Sequence, residues 1–197
     1  MRRITQGKAG ASVKCATACG AKTIHAQRSV LAVPPRLVAN VISFFPKLKP
    51  EQTQAMCDIR TWMAGQSKFT AVYSKPFWRN HGLSGDRVSH IGPLSEIHDA
   101  SPENESRGAL FGFIGWPAQQ RQALGNELIA QALSQLGQMF GPKAAHPLQV
   151  SLQDWAADPL TATVADLEQK AQPQSSSVTE LDHLWQGRIM FASAETA

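Results

Sequence analysis

Lys68 is the first residue of this sequence whose position suggests chemistry, because it lies inside the strand-like segment SKFTAVY at residues 67–73. Alternation along this segment places Lys68 on one face with Thr70 and Val72, and Phe69 on the other. An ammonium group there costs free energy unless it reaches solvent or finds a partner. Periodicity alone favours a lysine on an edge strand or a solvent face, and the alternative is a site residue.

Cysteine and histidine residues provide two further candidates, both for metal binding. Cys15 and Cys19 are separated by three residues, but a zinc site needs about four ligands, usually in two pairs, and the nearest histidine is His25. His90 and His98 have the same strand parity and would line one face only if a single strand joined them. Small residues in a hairpin and hydrogen-bonded histidines are the simpler interpretations, so the sequence predicts no metal site.

Motifs for nucleotide binding and nucleophilic catalysis do not occur in the sequence. It contains neither GxGxxG nor GxxxxGK[ST], so no glycine-rich loop is available to hold a pyrophosphate at a helix N-terminus. It also lacks a GxSxG nucleophile elbow. From individual residues alone, no reaction can be assigned.

Composition and charge exclude several classes of protein. The net charge is +4, and nine of the 19 Lys and Arg residues lie in the first 50 positions, which contain no acid. These cations are spread singly, without interleaved aromatic residues, which argues against nucleic-acid binding. No apolar run reaches the length of about 18 residues needed to span a membrane, and no apolar leader begins the chain. Three cysteines, an odd number, fit a reducing compartment, so we expect a soluble cytoplasmic protein.

The elements that must position Lys68 are those of an α+β chain, with a mixed β-sheet backed by helices. We expect a mobile start at residues 1–11 and a Gln/Ser/Pro-rich loop at 169–179. The last predicted strand has no covering helix after it, which suggests a piece of a larger protein. The predicted strands are a hairpin over 13–26 and single strands at 30–33, 67–73, 109–115, 148–152 and 188–192. The predicted helices are one that begins at Pro50, with Met56, Ile59 and Met63 on one face, and a long one over 117–140.

Several of these segments resemble the substrate-side half of the flavin-containing monoamine oxidases. The first similar blocks are Leu31-Ala32-Val33-Pro34-Pro35, Lys68 and the KPFWR motif at 75–79. Further along the chain they are ALFGFIGW at 109–116, His146-Pro147, Asp154-Trp155 and RIMFASAETA at 188–197. The blocks keep the order and spacing of the family from residue 12 to 197, and GLSG, EIHDASP and DWAADPLTAT are most similar to bacterial members.

This resemblance implies a domain organisation and an activity. Residues 12–36 would belong to the FAD-domain side and residues 37–153 to the substrate-binding domain. In residues 154–197 the chain would return to the FAD-domain side. The implied activity is FAD-dependent oxidation of a primary or secondary amine to an imine, with reduction of dioxygen to hydrogen peroxide. A small-molecule amine is therefore the implied substrate.

The resemblance also implies roles for individual residues. Lys68 matches the family lysine that holds a water beside flavin N5, which makes it the implied catalytic residue and favours the site-residue interpretation over an edge-strand lysine. Trp155 matches the tryptophan that packs near the isoalloxazine. The other implied cofactor-binding residues are Val33, Pro34, Ala194, Glu195 and Thr196.

The sequence also departs from the family pattern. It has no N-terminal βαβ unit with the glycine-rich loop, and Ser193 replaces the family glycine. Residues 161–164 read TATV where some members carry a cysteine bound to flavin, so the implied FAD is non-covalent. The only tyrosine, Tyr73, lies away from the position of the substrate-sandwiching aromatic pair of animal members. We therefore expect the isolated chain to be inactive, and the alternative is a subunit or non-catalytic binding module that pairs with a separately encoded FAD-binding half.

Overall fold

The structure, a computed structural model, describes residues 2–167, 181–182 and 184–196. It forms two compact units: unit 1 contains Met1–Ala64 and Pro159–Ala197, and unit 2 contains Gly65–Asp158. The divisions expected from the family resemblance are at 36/37 and 153/154. The predicted loop at 169–179 lies outside the described residues.

A four-stranded mixed sheet forms part of unit 1, with the strand order β3-β2-β1-β5. Its β2 and β3 pair antiparallel as the predicted hairpin, whereas β1 and β5 are parallel. β1 lies in the segment expected to be mobile, and the fully buried side chain of Ile4 anchors it in the core. The strands are β1 (Arg3–Gln6), β2 (Ala11–Thr17), β3 (Gly20–Ala26) and β5 (Ser43–Phe45).

The remainder of unit 1, as far as the structure describes it, contains a two-stranded parallel sheet and three α-helices. The predicted strand at 30–33 is shorter than expected, because the prolines that follow it begin helix α1. On helix α2, Met56 is buried as predicted. Ile59, the residue directly after the end of the helix, is buried too, whereas Met63 lies beyond the helix and is 43% exposed. The elements are β4 (Ser29–Leu31), β11 (Ile189–Phe191), α1 (Pro35–Val41), α2 (Pro50–Asp58) and α5 (Val164–Leu167).

Unit 2 is built on a five-stranded sheet with the order β10-β6-β9-β8-β7. All of its neighbouring strands are antiparallel, so the mixed sheet expected from the sequence occurs in unit 1 and not here. The overall class is nevertheless α+β, as predicted. The strands are β6 (Ser67–Tyr73), β7 (Arg87–Val88), β8 (Leu94–Asp99), β9 (Gly108–Ile114) and β10 (Gln149–Asp154).

Two helices, and not the single one predicted over 117–140, cover one face of this sheet. α3 (Ala118–Leu124) and α4 (Asn126–Phe140) are separated by Gly125, whose φ of 52° interrupts the helical backbone. On α4, Leu128 and Leu136 are buried against the sheet as predicted, but Leu133 is only partly buried. No helix within the described residues has the length and hydropathy needed to cross a membrane.

Candidate functional site

Lys68 lies on β6, which is an interior strand of the unit 2 sheet with β10 on one side and β9 on the other. Of the two alternatives that periodicity favoured, an edge strand or a solvent face, the edge strand is wrong, because residues 149–154 and 108–114 pair with the two sides of β6. The predicted alternation is confirmed, since Phe69 is buried in the core while Lys68, Thr70 and Val72 are only partly buried. Lys68 thus faces away from helix α4 and the apolar core of unit 2.

Aromatic rings hold the Lys68 ammonium on this sheet face. Its Nζ lies 3.7 Å from the centroid of the Phe111 ring and 6.0 Å from that of Phe113. These distances are those of a cation–π contact. Within the described residues, no carboxylate lies at ion-pair distance from Lys68. The ammonium therefore keeps its hydrogen-bonding capacity for water or a ligand.

Polar residues border the same sheet face on strand β8. The His98 ring lies 5.1 Å from the Phe111 ring, and its Nδ1 is 3.2 Å from an Asp86 carboxylate oxygen. His98 Nε2 is 3.8 Å from Glu96. His90, the other histidine considered as a ligand, lies outside β8. The described residues contain no group of three His, Cys, Asp or Glu side chains suited to a metal ion.

Trp155 lies near Lys68 along the paired strands of unit 2. It follows β10, in which Gln153 is directly opposite Lys68, and its backbone N–H donates to the Gln66 carbonyl at 3.1 Å. A tryptophan at a strand end is usually a core anchor, but this side chain is only partly buried, at the start of a 3-10 turn over Trp155–Ala157. The structure therefore brings Lys68 and Trp155 to the same end of the β6–β10 pair.

The remaining predicted cofactor residues all lie in unit 1, at the ends of two paired strands. Val33 and Pro34 follow β4, and the 3-10 turn Ala194–Thr196 follows β11. Since β4 and β11 are parallel, both segments leave the same edge of the pair. The carboxyl ends of parallel strands are common ligand sites in open α/β sheets. The Glu195 carboxylate is fixed there by the Trp62 backbone N–H, at 3.0 Å.

Asp99 is a structurally important residue that the sequence analysis missed. Its carboxylate accepts hydrogen bonds from Trp78 Nε1 at 2.9 Å, Arg79 Nε at 2.8 Å and the Ser101 N–H at 2.7 Å. Burial raises the pKa of Asp99, but the hydrogen bonds from Ser101, Trp78 and Arg79 outweigh it, and the pKa is lowered. These bonds join the KPFWR and EIHDASP motifs, which is the signal that could have identified them.

Asp166 is a second missed residue, in unit 1. Its carboxylate accepts hydrogen bonds from the hydroxyl and N–H of Thr163 and from the Thr61 N–H, and pairs with Arg36 at 2.7 Å. Burial opposes ionisation, but these donors lower the pKa of Asp166. The Thr163 hydroxyl is therefore already bonded within the fold. The Thr-x-x-Asp spacing at a helix start is the sequence signal for this cluster.

A surface cleft of about 360 Å³ lies at the opposite end of β6, and none of the predicted site residues lines it. Its floor includes Tyr73, whose hydroxyl donates to the Ala144 carbonyl at 2.7 Å. Burial raises the pKa of this phenol. Lys68 and this cleft therefore lie in different parts of unit 2.

The residues present fit part of a flavin. In unit 2, an ammonium without an ion-pair partner among the described residues and a partly buried indole suit contacts with a polar heteroaromatic ring. The pyrophosphate of FAD is not matched, because the sequence contains no glycine-rich loop to bind it.

Comparison with known proteins identifies the family. The family described as flavin containing amine oxidoreductase matches residues 1–197, and the chain belongs to that family of flavin-containing, FAD-using proteins. The putrescine oxidase of Kocuria rosea is 32% identical over 148 residues, 71% of this chain and 29% of that protein. A Mycobacterium tuberculosis protein named as a flavin-containing monoamine oxidase is 32% identical over 179 residues, 85% of this chain and 36% of that protein. The chain thus spans about a third of the length of these relatives.

Solved structures agree with this assignment. Wild-type putrescine oxidase bound to putrescine matches the whole chain with a TM-score of 0.72 and 27% identity, and the match covers 42% of that structure. Cyclohexylamine oxidase from Brevibacterium oxydans matches the whole chain with the same TM-score of 0.72 at 22% identity, a likeness of fold alone.

Proposed function

We propose that this chain forms the amine-side portion of an FAD-dependent amine oxidase, with Lys68 as its catalytic residue. The reaction would convert an amine and dioxygen into an imine and hydrogen peroxide. In this chemistry the bound flavin supplies the acceptor for the hydride that leaves the amine α-carbon. The substrate class is a primary or secondary amine. This proposal rests on the family relation and on the geometry around Lys68.

The observation that carries the proposal is the Lys68 ammonium, held 3.7 Å above the Phe111 ring on an interior strand. A lysine retained for stability at such a position would be expected to pair with a carboxylate. Lys68 is partly buried and makes no ion pair within the described residues. In this proposal, its Nζ donates a hydrogen bond to a water that takes part in the oxidation.

The other proposed site residues are cofactor contacts. In unit 2, the partly buried Trp155 indole would pack on the flavin ring. In unit 1, the proposed contacts lie at the ends of β4 and β11, where the Trp62 N–H fixes Glu195. No cysteine lies between 159 and 167, which supports non-covalent binding. The proposed unit 1 contacts are Val33, Pro34, Ala194, Glu195 and Thr196.

Co-expression of this chain with the remaining part of the Kocuria rosea putrescine oxidase tests the proposal. The missing pyrophosphate contacts would then come from the added polypeptide. We expect a co-purifying complex with flavin absorbance near about 450 nm that produces hydrogen peroxide from a panel of amines. In the same complex, Lys68→Met is the test variant. Lys75→Met is its matched control, because Lys75 is an exposed lysine of the same unit. A complex that retains FAD but oxidises no amine would contradict the proposal and favour a non-catalytic binding module.

Besides the amine substrate, we propose a separately encoded FAD-binding half as a partner of this chain. It would supply the pyrophosphate contacts that this sequence lacks, and a neighbouring reading frame with a GxGxxG motif would support it.

We also propose a cytoplasmic location, which rests on three cysteines that are free in the structure. Fractionation of the native host, with detection of this chain by antibody, tests the location.

A further inference from the structure

Arg121 is a buried cation of unit 2 that joins the ends of several strands. It lies on α3 with only 4% of its surface exposed. Its Nε and one terminal nitrogen donate to the two carboxylate oxygens of Asp154, at 2.8 and 2.7 Å. The other contacts are donated to the carbonyls of Trp116, at 2.6 Å, and Gly65, at 2.9 Å. The guanidinium thereby contacts the end of β10, the segment after β9 and the segment before β6.

Gly65, whose carbonyl accepts a hydrogen bond from Arg121, lies close in sequence to Lys68. Gly65 precedes β6 by two residues, and Lys68 is the second residue of that strand. The carbonyl of Gly65 is bound from α3, so the start of β6 cannot shift along the sheet without breaking this hydrogen bond. The position of Lys68 over the Phe111 ring therefore depends on where Arg121 holds the strand.

Asp154, which pairs with Arg121, is a neighbour of Trp155 in the sequence. Asp154 is the residue before it, and its Oδ1 also accepts the Ala156 N–H at 3.1 Å. The Trp155 N–H donates to the Gln66 carbonyl at 3.1 Å, which ties the same turn to the start of β6. One guanidinium–carboxylate pair thus fixes the backbone on both sides of the indole.

Stability alone is a weak reason to bury such a pair. Desolvation of two charges offsets much of their attraction, and apolar residues of similar volume often serve a core as well. Among the buried residues that the structure describes in unit 2, Arg121 is the only charged one, since the other polar ones are Ser67 and Gln135. We infer that Arg121 is a positioning residue, which sets the places of the Lys68 ammonium and the Trp155 indole. Its relevance to amine oxidation rests on the proposed function.

Nuclear magnetic resonance of the full 197-residue chain tests this inference without flavin or amine. Lysines are labelled by reductive ¹³C-dimethylation, which preserves their charge, and tryptophans by 5-fluorotryptophan. Lys68→Met and Trp155→Phe assign the two resonances of interest. The test variant is Arg121→Met. The matched control is Arg36→Met, because Arg36 is also 4% exposed, pairs with Asp166 and donates to backbone carbonyls, but lies in unit 1.

We expect the Lys68 methyl resonance of the native chain to be shifted upfield by the Phe111 ring. Arg121→Met should move it towards the position of exposed lysines and should shift or broaden the Trp155 resonance, whereas Arg36→Met should change neither. If Arg121→Met does not fold, Asp154→Asn is measured in its place, with the same expectation. The inference is overturned if both resonances keep their native shifts in the folded variant, or if Arg36→Met moves them equally. Because neither resonance depends on flavin, this result is separate from that of the co-expression experiment.

Discussion

At the scale of single residues, two cations of unit 2 illustrate how differently a buried or half-buried charge can be used. Arg121 forms four hydrogen bonds that hold strand ends, whereas the Lys68 ammonium rests on an aromatic ring without an ion pair in the described chain. The first arrangement uses the donors of the cation within the fold. The second leaves them available, as a site residue requires.

Replacement of Lys68 by Met should leave the stability of the isolated chain nearly unchanged, within about 0.5 kcal/mol. The substitution removes a cation–π contact but places a thioether against the same Phe111 ring, where sulfur–aromatic contacts are favourable. Urea denaturation followed by circular dichroism measures the free energy of unfolding. Arg121→Met, which leaves the partly buried carboxylate of Asp154 unpaired, should cost about 3–5 kcal/mol in the same assay. A comparable loss for Lys68→Met would show that Lys68 stabilises the fold.

Asp99 should make the stability of unit 2 sensitive to acid. Its pKa is lowered in the folded chain, so its ionised form contributes stability above the unfolded-state pKa of about 3.9, and this contribution is lost as the pH falls through the folded-state pKa. We expect Asp99→Asn to be less stable than the native chain at pH 7 and closer to it at about pH 3.

The measurement is the urea midpoint at both pH values. Asp86→Asn is the control, because the Asp86 side chain is 60% exposed. A difference between the native chain and Asp99→Asn that is equally large at both pH values would refute the assigned role of its charge.

At the scale of elements, helix α4 covers the core face of the unit 2 sheet through its fully buried positions. Leu136 is 1% exposed, whereas Leu133 is only partly buried on the flank of the same helix. Leu136→Ala should therefore cost about 2–5 kcal/mol and Leu133→Ala clearly less. Thermal or urea unfolding of the two variants compares them directly. Equal costs would indicate that the helix is rotated from the orientation described here.

The elements of this fold differ in how far the sequence predicts them. The alternation of SKFTAVY indicated the two faces of β6 correctly, because side-chain period reports burial. It could not indicate that β6 is an interior strand, since the strands that pair with it come from residues 108–114 and 149–154. The break at Gly125 was missed because the apolar stripe continues across it, while the backbone conformation does not.

The candidate site was predictable only through family resemblance. No spacing rule would select Lys68 and Trp155 as a pair, because their proximity follows from the register that places Gln153 opposite Lys68. The supporting contacts of Arg121, Asp99 and Asp166 were not predicted, because each joins segments distant in the chain. Whether the predicted residues act on a flavin stays a proposal.

At the scale of the whole molecule, we predict that the isolated 197-residue chain neither retains FAD nor makes peroxide from amines. The reason is the lack of a glycine-rich loop in its sequence, since backbone N–H groups at a helix N-terminus normally supply the affinity for the pyrophosphate. Gel filtration with added FAD, followed by an absorbance spectrum, measures retention. Stoichiometric flavin in the protein peak would contradict this prediction.

The most direct test of the central claim, that Lys68 is a catalytic residue, is the rate of flavin reduction and reoxidation in the co-expressed complex. Stopped-flow absorbance would follow reduction by an amine without oxygen and then reoxidation by dioxygen, for the native chain, Lys68→Met and the control Lys75→Met. We predict that Lys68→Met retains FAD but slows one of the two steps by roughly 10–100-fold, while Lys75→Met behaves as the native chain. Native rates for both steps in an FAD-loaded Lys68→Met complex would contradict the account.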